Sequence, residues 1–194
     1  MTKKNIELLR VTYLRGPNIW TYRPVIEAWV DIGELEDHPS NTLPGFYERL
    51  SAWLPGLIEH HCSPGVRGGF LQRVREGTWP AHILEHTALE LQNLAGMRTG
   101  FGKARQTPVR GIYKVAFRTR QEQVGRAALA AARDLVMAAI EDQPFALDAT
   151  LDHTPAGAGH HAVFAVWAQA QFWPGGSLRT GRPQGPENGA IGGV

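Results

Sequence analysis

The chain has 194 residues, with 20 Lys+Arg against 18 Asp+Glu and a formal net charge of +2. That length fits one domain with a self-sufficient core, and the near-balanced charge excludes a polycation built for nucleic acid. One cysteine, Cys62, excludes an internal disulfide and fits a reducing compartment.

The opening MTKKNIELLRV carries charge with no apolar run behind it, which argues against a signal peptide. The apolar stretch 127–140 is interrupted by Arg133 and Asp134 and falls short of the about 20 residues that span a bilayer. The expected setting is the cytoplasm, with neither nucleic acid nor membrane as a partner. Charge is unevenly distributed: residues 151–194 carry only Asp152, Arg179, Arg182 and Glu187, among nine Gly and four Pro. Residues 1–150 therefore read as the domain and 151–194 as a Gly/Pro-rich, poorly ordered tail.

In chain order, residues 5–14 read as a strand, and 24–32 as a second, with Ile26, Ala28, Val30 and Ile32 on one face. A helix over 44–60 begins at Pro44 and is interrupted at Pro55-Gly56. GGFLQRVRE (68–76) reads as a short helix. The best-marked helix covers 79–95, with Thr78 as the expected N-cap, Pro80 in the first turn and Gly96 closing it. GIYKVAF (111–117) alternates as a strand with Tyr113, Val115 and Phe117 on one side, and 122–142 forms a long Ala-rich helix. The order predicts an α+β fold, a small mostly antiparallel sheet packed by several helices.

The chemistry concentrates on His82-Ile-Leu-Glu85-His86. A spacing of four puts both imidazoles on one helix face, where they can share a metal such as Zn²⁺, and Glu85 stands beside them as a base toward water. A third protein ligand is required. Glu122, at the start of the long helix, is the expected one; Glu90, one turn further on, suits a supporting role better. His60-His61-Cys62 forms a second cluster, useful only if Ser63-Pro64-Gly65 turns the chain there. The more common reading of such short patterns is a surface or satisfied core histidine, and a buried cysteine. SPGVRGG (63–69) and GMRTGFGK (96–103) match no phosphate loop and read as turns. The arginines offer planar pairing to carboxylates, and with Glu34, Glu36 and Asp37 elsewhere could hold a ligand bearing both charges.

The runs RGPNIW (15–20), VDIGELEDHPSNTLPGFYERL (30–50), LPGLIEHHCSPGVRGGFLQRVREGTWPAHILEHTALELQNLAG (54–96), FGKARQ (101–106) and GIYKVAF (111–117) resemble the N-terminal domain of cyanophycin synthetases. That resemblance implies a cytoplasmic bacterial enzyme that joins aspartate and arginine, with ATP, into cyanophycin, a poly-aspartate backbone bearing arginine side chains. Its ligase chemistry resides in ATP-grasp and Mur-ligase-like domains that these residues do not match, so this chain is not expected to make the polymer alone. The N-terminal domain is implied to hold the polymer beside those ligase domains and, in some members, to cut it into primers at a metal-dependent peptidase-like site. Homo-oligomers are implied as well. Two departures stand out: Arg118-Thr119 follow Phe117 where the family continues with an acidic residue and an aromatic, and the likeness fades beyond about residue 150.

Overall fold

The computed structural model describes residues 5–62 and 65–147. Four strands, β1 (Glu7–Leu14), β2 (Val25–Asp31), β3 (Gly102–Gln106) and β4 (Ile112–Arg118), form one antiparallel sheet in the order β1-β2-β4-β3. Among the described residues four α-helices accompany it: α1 (Phe46–Trp53), α2 (Gly69–Glu76), α3 (Pro80–Leu94) and α4 (Glu122–Glu141). The α+β class with a small antiparallel sheet is what the strand and helix periods predict. The expected boundary near residue 150, and the tail with His153, His160 and His161, lie outside the described residues.

Period two decides which side of the sheet is buried. Ile26, Ala28 and Val30 of β2 stand opposite Phe117, Val115 and Tyr113 of β4, and all six are buried. α3 and α4 pack side by side over that face, against β2, β3 and β4. Small residues let α4 come close: Ala127, Ala128, Ala131 and Ala132 are buried, and a Cβ on Gly125 would meet Ile26 at 2.6 Å. Pro55 ends the helix over 46–53, as expected, and a 3-10 turn follows over Pro55–Glu59.

Two local expectations are corrected. Thr78 does not cap α3: the N-cap is Trp79, with no side-chain bond, and the Thr78 hydroxyl lies 2.8 Å from His82 Nδ1 instead. Residues 96–103, read as turn, run into β3. Its glycine and its exposed Lys103 and Arg105 hide the strand from propensity, because one edge of it faces solvent and needs no apolar alternation.

Candidate functional site

α3 is buried on nearly every side, from Pro80 to Gln92 with His82 half-buried. Turns of three and four residues align His82, Glu85, His86, Leu89, Glu90 and Asn93 along one stripe, and this stripe lines a cavity of about 1260 Å³. The opposite wall is the edge of β3, Gly102 to Arg105, and the third is the segment Glu59 to Cys62. This volume exceeds the roughly 300–1,000 Å³ of small-molecule pockets and suits a longer ligand.

The two histidine clusters read separately from the sequence are one site. Cys62, His82 and His86 each offer a ligand atom, and these atoms all lie within 4.8 Å of one another. The chain does turn at Cys62, which has φ 53, a left-handed conformation that a non-glycine residue seldom adopts. The turn carries Cys62 Sγ to 3.3 Å from His82 Nε2, while His60 and His61 line the cavity beside it. Glu122 is not part of this group: it opens α4, where its carboxylate accepts from Arg126 Nε at 2.9 Å, and it is not among the cavity-lining residues. The signal for Cys62 lay in Ser63-Pro64-Gly65 behind it, a run of turn-forming residue types.

Each imidazole is oriented from behind. Glu90 Oε2 accepts from His60 Nε2 at 3.0 Å, and His60 Nδ1 lies 2.9 Å from His86 Nδ1. With His86 neutral, the tautomers that satisfy this chain make His86 Nδ1 the donor to His60, so the lone pair of His86 resides on Nε2. Phe70 stacks on the His86 ring at 4.0 Å between centroids, and a Cβ on Gly56 would lie 1.8 Å from Glu90 Oε1. Likewise Thr78 Oγ1 lies 2.8 Å from His82 Nδ1; in the Nδ1–H tautomer it accepts that hydrogen bond and the lone pair on Nε2 is left toward Cys62. A supporting hydrogen bond behind each ring is the usual arrangement of histidine ligands.

Burial sets the protonation states. Loss of solvent, with Arg73 adding to it, lowers His82 to about 4. His86 falls well below its ordinary value, first from burial and then from His82 and His60 nearby. Both rings are thus neutral at pH 7, the form in which imidazole binds metal. Glu85 is pushed up to about 8 by burial, against the opposing pull of the Ala104 backbone N–H and of Lys103. Its Oε1 stands 3.9 Å from His86 Nε2. A carboxyl that titrates near neutrality beside two neutral imidazoles is what general acid–base work requires.

The cavity also carries charge of both signs. Glu59 and Glu90 line it together with Arg98, Lys103, Arg105 and Arg118. Arg118, at the departure noted in the sequence, keeps its place through its backbone: its carbonyl accepts from Gln92 Nε2 and Thr99 Oγ1, both at 3.2 Å.

Residues 27–141 match the model of the cyanophycin synthase-like N-terminal domain. The chain belongs to that family. It is 49% identical over 144 residues to the cyanophycin synthetase of Synechocystis sp. (strain ATCC 27184 / PCC 6803 / Kazusa), covering 73% of this chain and 16% of the relative. The synthetase of Crocosphaera subtropica is 48% identical over the same shares. That of Geminocystis herdmanii is 47% identical over 145 residues, 74% of this chain and 17% of the relative. The chain thus spans about a sixth of the length of these relatives, and the matched sixth is the domain that holds α3 and its cavity. Among the described residues no helix is long and apolar enough to cross a membrane.

Proposed function

We propose that this cyanophycin synthetase N-terminal-like domain is a cytoplasmic, metal-dependent hydrolase that binds an aspartate–arginine polymer and cuts an amide of its backbone. The observation that carries this reading is the Cys62–His82–His86 group with Glu85 beside it. A thiol and two neutral imidazoles are a donor set that zinc favours, and three protein ligands leave the fourth position open, as catalytic sites require. Bound there, zinc would supply Lewis-acid polarisation of an amide carbonyl and lower the pKa of a water.

The chain's own residues do the remainder. Thr78 holds the His82 ring, and Glu90, acting through His60, holds that of His86. Cys62 must lose its proton for the group to bind a cation, so metal uptake rises with pH. Glu85, protonated when the site lacks metal, becomes a carboxylate beside a bound cation and takes a proton from the attacking water at Oε1 or Oε2. It then delivers that proton to the leaving amine. Acids and arginines around the cavity would hold side chains that end in both a guanidinium and a carboxylate. Within a longer protein, the product ends would serve the ligase domains of the same family as primers, and oligomers would share the polymer.

The test is chain length of a defined aspartate–arginine polymer after incubation with the zinc-loaded protein. Cleavage is expected, and Glu85→Gln is expected to reduce it by about 10²–10⁴-fold while metal content stays the same. Equal cleavage by the variant would remove Glu85 from the mechanism. A second reading, a domain that binds polymer without cutting it, draws on the mixed charge of the cavity; it predicts salt-sensitive binding that survives chelation and no cleavage.

A further inference from the structure

The sheet order leaves β3 at an edge, and an edge strand presents backbone groups that its one neighbour does not use. The ladder shows which they are. Arg118 N–H donates to the Phe101 carbonyl and Thr107 N–H to that of Ile112, each at 2.9 Å. Bonded and non-bonded pairs alternate in an antiparallel ladder, so in this register residues 101, 103, 105 and 107 face β4. Gly102, Ala104 and Gln106 turn their N–H and C=O groups away from it.

That outward side, from Gly102 to Arg105, is the cavity wall across from the metal-capable group. Glu85 reaches it: a Cβ on Gly102 would lie 2.4 Å from Glu85 Oε1, and the Ala104 N–H already draws the Glu85 carboxylate. Glycine inside a strand marks a place where something approaches the backbone closely. Here the backbone edge and the acid–base residue are in contact.

We propose that β3 receives its ligand as an added strand, an extended polyamide backbone that pairs with Gly102, Gln106 and the Ala104 carbonyl while Glu85 keeps the Ala104 N–H. Strand addition takes its affinity from main-chain hydrogen bonds and its specificity from alternate side chains. Alternation sends one set of ligand side chains past the exposed Lys103 and Arg105 and the other into the cavity toward α3 and the segment Glu59 to Cys62. A chain whose side groups each carry a carboxylate finds cationic partners in Lys103 and Arg105. The identity of the ligand rests on the function proposed above; the mode of docking does not require that the ligand be cleaved.

The experiment uses the full chain stripped of metal, so that no cutting intervenes, and an eight-residue aspartate backbone with arginine on each side chain. Calorimetry compares the unmodified peptide with one N-methylated at alternate amides and one N-methylated at every amide. All three keep the same side-chain charges. Alternate methylation leaves one edge of an extended chain intact, so its affinity should stay within about threefold of the parent; methylation at every amide should lower affinity at least tenfold. The unmodified peptide should also slow hydrogen exchange at the amides of Gly102 and Gln106. Equal binding of all three peptides, or an equal loss in both methylated ones, would overturn docking on the edge and leave polymer binding standing. No binding of the unmodified peptide would overturn both together.

Discussion

Along α3, Leu84, Ala88 and Leu91 are fully buried in the core, while on the adjoining face Glu85, His86 and Glu90 are buried, and His82 half-buried, against the cavity. The first set is stabilised by leaving water, at roughly 25 cal/mol per Å² of apolar surface. The second set bears a cost for the same burial, visible as neutral histidines and a glutamic acid that holds its proton to about pH 8. One helix therefore shows how a fold supports a buried polar cluster: the apolar face fixes the helix on the sheet and on α4, and the polar face is held in place whether or not its own burial is favourable.

Substitutions on the two faces should separate stability from activity. His82→Ala, on the cavity face, removes a metal donor; bound zinc and cleavage should fall below detection while the metal-free protein melts within a few degrees of the parent. A collapse of its melting transition would mean that the polar face is itself structural. Leu84→Ala, on the core face, should cost about 2–5 kcal/mol in denaturant unfolding, and cleavage per folded molecule should persist. Lost cleavage in protein shown to be folded would break the distinction between the faces. Glu90→Gln weakens the acceptor behind His60 and should lower zinc affinity by about 10–100-fold in competition with a chelator, without loss of fold. An unchanged affinity would show that His86 does not depend on the relay.

The smallest effect is in pH. In the metal-free protein Glu85 titrates near 8 instead of 4.5, so between these values the native state keeps a proton that the unfolded chain has released, and stability falls as pH rises. His82, lowered from 6.5 to about 4, acts oppositely: between 4 and 6.5 the unfolded chain holds the extra proton and stability rises with pH. The two oppose each other below 6.5, and above it only the Glu85 slope remains. Metal-free protein should therefore melt at a lower temperature at pH 8 than at pH 6.5, and Glu85→Gln should flatten that difference. A parent protein with no such slope would place the raised pKa elsewhere.

The same contrast explains what the sequence disclosed. α3 was legible because Pro80, Gly96 and a regular apolar period mark it, and the spacing of His82 and His86 follows from helix geometry alone. β3 was not, since Gly102, Lys103 and Arg105 on an edge strand obey a requirement for an open backbone instead of a buried face. Glu122 was the expected third ligand because it begins a helix. Its pairing with Arg126 and the left-handed turn at Cys62 depend on tertiary packing, which no local pattern reports. The His60-His61-Cys62 cluster was visible, but its union with the motif on α3 was not. Thr78 likewise carries a helix-cap signal yet turns its hydroxyl to His82.

The central claim is that Cys62, His82 and His86 together hold one zinc. The most direct measurement is metal stoichiometry by elemental mass spectrometry on zinc-reconstituted protein, with Cys62→Ala and Glu122→Gln measured beside it. The account predicts close to one zinc per chain in the parent and in Glu122→Gln, and loss of zinc in Cys62→Ala. Zinc retained by Cys62→Ala, or none in the parent, would contradict it.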